Sequence, residues 1–382
     1  MIVLDEPYVS EPLVAWLESS HHPVLDNAMA RSIAADRSLN LVSADEAKNR
    51  IDGGERVYTN SENALSWIVD NVQNESLVRG ISLFKDKAAM REALSALDPD
   101  LFFKTCSIDE LLELDFDQLE LPFVLKPSVG FCSVGVYAIQ NREDWEHALA
   151  DIVQNAASWR NLYPESVIGS GSFILEGYIG GTEYALDAFF DEEGSAHILN
   201  VFRHDFASAD DTSDRLYITS PSIIRETSAM FTSWLDSVNA IVGARNFPVH
   251  VEVRVSEGHV CPIEFNPLRF AGLGGTDLSL HAYGYRTYEA FLTNELPDFE
   301  AAFKGREDKV YSMSLLNPPA EASGDEQFDY EALQSRFSHV LDMRPFDVRR
   351  VGSYGFLFLE TDAETADELA YIQNTDLKEF LR

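Results

Sequence analysis

Two short segments concentrate side chains that could do chemistry. In Val249-His-Val-Glu-Val-Arg-Val255 the valines alternate with His250, Glu252 and Arg254. The two-residue period of a strand sends the valines to the core and the three ionisable groups to the opposite face. In Val260-Cys-Pro-Ile-Glu-Phe-Asn-Pro267, Ile263 and Phe265 point one way, Glu264 and Asn266 the other. Glu257-Gly258 separates the two segments, and a three-residue loop with Gly258 at positive φ sets Glu252 directly opposite Glu264. Two carboxylates and an amide oxygen then share one patch, where the like charges repel unless a cation sits between them. Hard oxygen ligands of this kind suit Mg²⁺, with phosphates and water completing the octahedron. An ordinary solvated strand face satisfies the same alternation.

A second group follows Leu121-Pro-Phe-Val-Leu-Lys126, which reads as a strand ending on a lysine. Ser128, Gly130, Ser133 and Gly135 then supply a small, flexible loop whose N–H groups, with the Lys126 charge, suit phosphates. Gly/Ser turns also close many plain hairpins, and neither a Walker A sequence nor a G-x-G-x-x-G is present. A third group is Glu176-Gly-Tyr-Ile179 at the end of a strand, with Glu183 seven residues beyond.

The elements that must position these groups read as α/β throughout. Ile2-Val-Leu and Val57-Tyr-Thr are short strands, with weakly periodic helices over 11–19 and 64–72. Asp86 to Leu97 is a helix with Met90, Ala93, Leu94 and Leu97 on one face, and 107–121 holds one short helix. Val136-Tyr-Ala-Ile returns as a hairpin partner of the Lys126 strand, and Asn141 caps a helix that turns Trp145, Leu149 and Ile152 inward. Residues 183–190 and 197–202 pair around the turn at Asp191-Glu-Glu-Gly194. In 228–242, Phe231, Trp234, Leu235, Val238 and Ile241 face in. Strands alternating with helices predict sheets covered by helices. The domain division expected is 1–82, an N-terminal α/β unit; 83–306, the central unit, with a subdomain at about 118–176; and 307–382, a C-terminal α/β lobe closed by a helix over 364–381.

Composition bounds the function. The chain has 382 residues, 45% apolar and 24% charged, so a packed core is expected. Its formal charge of −35 disfavours nucleic acid and anionic membranes as partners, favours solubility and hints at a cytoplasm rich in salt or acidic proteins. No apolar run reaches membrane-spanning length, and the N-terminus reads as a strand rather than a signal peptide. Three cysteines with no C-x-x-C pair fit a reducing, cytoplasmic compartment.

The order lysine, flexible loop, Glu-x-x-Ile, Glu, then a Glu strand followed by Glu264-x-Asn266, resembles the ATP-grasp superfamily, over roughly 85 to 290 and more loosely beyond. The resemblance implies an ATP-grasp fold with a Rossmann-like N-terminal domain, a mobile lid and a C-terminal lobe, and ATP with two Mg²⁺ ions (Mn²⁺ can substitute) as cofactors. Lys87 and Lys126 then resemble the phosphate-binding lysines, and the loop 128–135 with Ser133 the lid over the phosphates. Glu176 resembles the acceptor of the adenine amino group, Gly177, Tyr178 and Ile179 the hinge pairing with the base, Glu183 the ribose carboxylate, and Glu252, Glu264 and Asn266 the metal ligands. The family often has Glu-x-Asn-x-Arg; here Glu264-Phe-Asn-Pro-Leu-Arg269 carries one extra residue. The loop also lacks the four-glycine run typical of biotin carboxylases.

The activity implied is ATP-dependent carboxylate–amine ligation through an acyl phosphate, as in amino-acid or dipeptide ligases. Arg254 and Arg269 are the candidate catalytic residues. Arg254 orients the carboxylate or phosphate, or else pairs with a metal-site carboxylate. Arg203, His204 and Arg215 face the substrate or a solvent loop. The run after Arg269, Phe-Ala-Gly-Leu-Gly-Gly-Thr-Asp277, resembles the acceptor pocket of amino-acid ligases. The partners expected are a small carboxylate and an amine, with a homodimer as a family expectation. A purine-pathway ligase and a nucleotide-binding protein without turnover remain the alternatives.

Overall fold

Three sheets organise the chain, which the computed structural model describes over residues 1–129, 135–162, 172–206, 215–319, 322 and 326–382. The first is parallel and N-terminal, built from β1 (Ile2–Val3), β2 (Pro23–Leu25), β3 (Asn40–Val42) and β4 (Tyr58–Thr59) in the order β3-β2-β1-β4. The sequence pattern indicated only β1 and β4. Strand β2 opens on Pro23 and β3 on Asn40, residue types that mark turns and loops, so neither stood out as a strand. Ser10, Asn27 and Ser43 each cap a helix between these strands by accepting a backbone N–H.

Two helices then meet at a corner that matters for the site. The first, Glu75–Lys85, buries Leu77, Ile81 and Phe84; the second, Lys87–Leu94, buries Met90, Arg91 and Leu94. Asp86 sits between them as a cap, its carboxylate accepting from the Ala88 and Ala89 N–H groups. The helix predicted over 86–97 therefore starts one residue later, and the corner places Lys85 and Lys87 on either side of the cap.

The second sheet is antiparallel: β5 (Phe103–Ser107), β6 (Phe123–Pro127), β7 (Tyr137–Ile139) and β8 (Ser172–Gly177), in the order β5-β8-β6-β7. Its core is Phe123, Leu125, Trp145, Ile152, Phe173 and Leu175. The predicted β6–β7 hairpin is present, with Phe123 opposite Ile139. Asn141 caps the following helix through Asp144 N–H, as expected.

The third sheet has eight antiparallel strands, β9 (Thr182–Phe190), β10 (Ala196–His204), β11 (Leu216–Thr219), β12 (Phe247–Ser256), β13 (His259–Pro267), β14 (Val310–Leu315), β15 (Val340–Pro345) and β16 (Gly355–Thr361). Their order, β13-β12-β9-β10-β11-β14-β16-β15, makes the C-terminal strands a continuation of the central sheet. Helix Pro221–Val242 packs on it through Ile224, Phe231, Leu235, Val238 and Val242. Ile241, expected inside, is 44% exposed: the 3.6-residue period turns Val238 and Val242 inward and carries Ile241 past the contact. The helix predicted over 364–381 divides into Ala366–Asn374 and a single turn at Lys378–Phe380, because Leu377 takes a left-handed φ of 63°. No helix among the described residues is long and apolar enough to cross a membrane.

A chain of charge −35 stores self-repulsion that salt screens. The melting temperature is expected to be several degrees higher in about 1 M KCl than in about 0.05 M KCl, where the screening length is several-fold longer. A flat or falling melting temperature in calorimetry would show that surface repulsion is not a significant part of the stability balance.

Candidate active site

Strands β12 and β13 form the floor. Their turn has two residues, Glu257 and Gly258, with φ of 52° and 81°, and Ser256 faces His259. This corrects the three-residue loop. A two-residue turn alone would set Glu252 opposite Ile263. A β-bulge between Glu252 and Val253 shifts the ladder by one, so that Val253 faces Pro262 but Glu252 faces Glu264. The predicted juxtaposition is therefore present, by a different route. Val249, Val251 and Val253 are fully buried on the reverse face.

Two carboxylates this close need compensation. Lys87 Nζ lies 2.8 Å from Glu264 Oε2, and Asn266 Nδ2 donates to Glu264 Oε1 at 3.3 Å. Burial alone would raise the Glu264 carboxyl; Lys87 outweighs burial and holds it below its ordinary value, while Lys87 is raised despite its own burial. The Lys87 N–H donates to Ser128 O at 2.7 Å, tying the helix start to the end of the Lys126 strand. Beside Glu252, His250 Nε2 lies 3.9 Å from Oε1, and His250 Nδ1 shares a 2.7 Å hydrogen bond with Asp187. Fully buried Asp187 also accepts from Ala271 N–H and Thr276 Oγ1, bracing the glycine-rich segment after β13. Among the described residues no three His, Cys, Asp or Glu side chains converge to hold a metal. The donor set is two carboxylates and one amide, all hard oxygens, which fits Mg²⁺ with further positions left to phosphate and water.

A second node centres on Glu176, buried at 3% exposure. Lys126 Nζ approaches one carboxylate oxygen at 2.9 Å, and Arg91 Nε donates to the other at 2.6 Å. Arg91, itself 1% exposed, also donates to Pro262 O at 2.6 Å. Burial pushes the Glu176 carboxyl up, and its two cations more than reverse that. The residue expected to receive the adenine amino group is thus already bound to two cations, and it fixes where Lys126 points.

The hinge is partly committed too. Gly177 N–H donates to Phe102 O and Tyr178 N–H to Pro122 O, so neither donor is available to a base. Arg254 donates to Ile179 O at 2.7 Å and through Nε to Glu183 at 2.9 Å, while His204 Nδ1 binds the other Glu183 oxygen at 2.9 Å. Arg254 therefore sits at the hinge, away from the metal-site carboxylates. The reason is register: β12 pairs with β9 so that Arg254 lies opposite Glu183. Its guanidinium is 5.4 Å from the Tyr178 ring centre, and Tyr178 is half exposed. His204 is buried and not in a solvent loop; Arg203 pairs with Asp205; Arg215 donates to Thr375 O on the far side of the sheet. Ser133 lies outside the described residues.

Arg269 does reach the centre despite the extra residue. Leu268 takes a left-handed φ of 59°, and its carbonyl accepts from Thr59 N–H at 2.7 Å at the end of β4. This kink absorbs the additional residue and turns Arg269 Nη2 onto Glu62 Oε1 at 2.7 Å. Lys85 Nζ pairs with the other Glu62 oxygen. Glu62, Lys85, Arg91 and Asp187 were not singled out by the sequence. Lys85 stood two residues from Lys87, which was the one available signal.

Residues 119–277 match the ATP-grasp domain family. This is an ATP-grasp fold. The L-amino acid ligase from Bacillus licheniformis is similar with a TM-score of 0.70 at 18% identity, covering 100% of this chain and 97% of that one. N5-carboxyaminoimidazole ribonucleotide synthetase from Thermotoga maritima gives 0.65 at 15%, covering 100% and 98%. Biotin carboxylase from Campylobacter jejuni gives 0.63 at 13%, covering 99% and 96%. No curated protein sequence matches the chain. The ATP-grasp architecture runs through the whole chain, whereas the family match covers its central part.

Two outcomes follow from the buried ions. Arg91→Met leaves Glu176 with one cation and is expected to lower unfolding free energy by roughly 3 kcal/mol, read by urea denaturation. Glu62 is held at about 2, against an ordinary 4.5. Burial alone would raise it; Arg269 and Lys85 reverse that. A carboxylate depressed on folding stabilises fully above its unfolded value and loses that contribution as pH falls through the folded one. Between about pH 6 and about pH 3 the wild-type urea midpoint should therefore fall further than that of Glu62→Gln; equal falls would refute the assignment.

Proposed function

We propose that the protein is an ATP-dependent carboxylate–amine ligase, which joins a small carboxylate to an amine, most simply that of an amino acid, and releases ADP and phosphate. The observation that carries this reading is the Glu252–Glu264 pair with Lys87 on Glu264, Lys126 held by Glu176, and Arg269 turned into the same centre. Carboxylates that could hold metal, lysines that could hold phosphate and an arginine for a transferring anion are the parts such a reaction needs. The similarity to a Bacillus licheniformis L-amino acid ligase supports the substrate class.

ATP is the phosphoryl donor in this reading, and Glu252, Glu264 and Asn266 would hold Mg²⁺. Bound there, the metal supplies neutralisation of triphosphate charge. Lys87 and Lys126 add two positive charges at fixed positions. A substrate carboxylate oxygen forms a bond to the γ-phosphorus as the bond to the bridging oxygen breaks and ADP leaves. Arg269 offers a planar, bidentate fork to the anion so formed. The amine nitrogen then bonds to the acyl carbon, the carbon–oxygen bond breaks, phosphate departs and the amine loses its proton. An acyl phosphate hydrolyses in water, so the reading requires that water be kept from the centre during the transfer.

The test is release of ADP and phosphate from Mg-ATP with pooled small carboxylates and amino acids, Glu264→Gln serving as control. Release is expected to require both substrates and to fall at least about a hundredfold in the variant. Release with a phosphoribosyl amine in place of amino acids would move the assignment to a purine-type synthetase. Tight Mg-ATP binding without any release would make it a nucleotide-binding protein, and no ATP binding would overturn the reading.

A further inference from the structure

The Glu62 cluster joins two parts of the chain that are far apart in sequence. Glu62 opens a single helical turn at the end of the N-terminal sheet, and that turn is fixed from several sides. Ser61 Oγ and Asn63 Nδ2 both donate to Glu6 O, while Asn60 Nδ2 donates to Asp5 O and Tyr8 O. One residue before Asn60, Thr59 grips Leu268 O through both its N–H and its hydroxyl. The backbone that presents Glu62 is therefore bolted to the backbone that presents Arg269.

The side chains converge accordingly. Arg269 Nη2 and Lys85 Nζ each bind one oxygen of the same carboxylate, and the three side chains are exposed by only 13–15%. This cluster lies within electrostatic reach of the floor, since Glu62 acts on both Lys87 and Glu264, and Glu264 and Glu252 act on Arg269. A guanidinium and an ammonium are long and rotamer-rich. Without a common counter-ion, Arg269 would be drawn toward Glu252 and Glu264, which already act on it, and Lys85 would lose the carboxylate that orients it.

We propose that Glu62 is a positioning residue for the carboxylate substrate: it holds Arg269 and Lys85 side by side as a two-cation seat for the anionic group that is phosphorylated. This rests on the ligase reading for the identity of the anion. Glu62 touches no reacting atom; it sets where the two cations stand, and its own carboxylate takes up charge and hydrogen-bonding capacity of each. The N-terminal unit thus contributes a working part to the centre.

A carboxylate that both positions and competes gives two effects of opposite sign when it is neutralised. The probe is inorganic phosphate, titrated calorimetrically into the full-length protein in the presence of Mg-ADP. Glu62→Gln is expected to bind phosphate about tenfold more tightly, because a competing negative charge is gone. The same variant is expected to turn over about a hundredfold more slowly with ATP KM within about twofold of wild type, because the seat has lost its alignment. Glu62→Asp should recover part of the turnover. Lys85→Met should weaken phosphate about tenfold, and Lys85→Met combined with Glu62→Gln should return it near the wild-type value. If Glu62 were only a structural tie, Glu62→Gln would lower the melting temperature and leave phosphate affinity and turnover per folded molecule unchanged; that result overturns the proposal. So does unchanged phosphate affinity in Lys85→Met, which decides the matter even if Glu62→Gln does not fold. A wild-type protein that binds phosphate yet releases none with any carboxylate would sink the ligase reading alone, leaving the seat to the phosphate titrations.

Discussion

Two carboxylates set face to face across a strand pair are the constraint from which the rest of this site follows. Glu252 and Glu264 repel, and both are mostly withdrawn from water, so the surroundings must supply positive charge. Lys87 supplies it directly. Arg269 and Lys126 stand close enough to act on Glu264, and each would collapse onto the pair if nothing restrained it. Glu176 restrains Lys126, with Arg91 sharing the load, and Glu62 restrains Arg269, with Lys85 doing the same. The pattern is a set of carboxylates each shared between two cations, arranged around the facing pair that Lys87 and His250 approach. Its members are spread from Glu62 to Arg269: the N-terminal turn, the Lys85–Lys87 corner, the second sheet and the β12–β13 hairpin.

How much of this could be read in advance depended on segment length and on the residues that open each segment. Strands β12 and β13 are ten and nine residues long, and over such lengths the two-residue period assigned each side chain to its face. The Lys126 and Glu176 strands, five and six residues long, were legible on their apolar runs. Strands β2 and β3 are no shorter than β1 and β4, but they open on Pro23 and Asn40, which read as turn residues, and their absence from the reading hid the true size of the N-terminal sheet. The β12–β13 register shows a subtler limit. The right pairing was inferred from the wrong loop, because a bulge at Ile263 compensates a turn one residue shorter than expected. Nothing in a single sequence distinguishes those two solutions, which share one end point.

Partners chosen by tertiary contact were the least legible. Arg254 was placed beside Glu252 from their proximity on one strand face, but the neighbouring strand β9 offers Glu183 directly across from it, and the shorter path prevails. Glu176 was read for what it could offer a ligand, while its strongest interactions are with Lys126 and Arg91. Arg91 falls outside the apolar face of Met90, Ala93, Leu94 and Leu97 in the sequence, yet it is only 1% exposed. In each case a charged residue was noticed, or could have been, but its counter-ion came from a sequence distance of 50 to 85 residues that local pattern cannot bridge.

Such a network is a poor way to gain stability. Ion pairs withdrawn from water repay their desolvation only with good geometry, and apolar replacements are often as stable or more so. The composition sharpens the point. Only eight of the 382 residues are lysine, in a chain carrying 64 acidic side chains, yet Lys85, Lys87 and Lys126 all stand at this one centre. Elsewhere the excess negative charge is left to solvent and salt. Concentrating scarce cations where they must be desolvated makes physical sense if their positions are what matters, because fixed charges stabilise a developing anion without the reorganisation that water would need. On the proposed function, the shared carboxylates hold those cations in place before any anion arrives, so the energy of ordering them is spent in folding and not during the reaction.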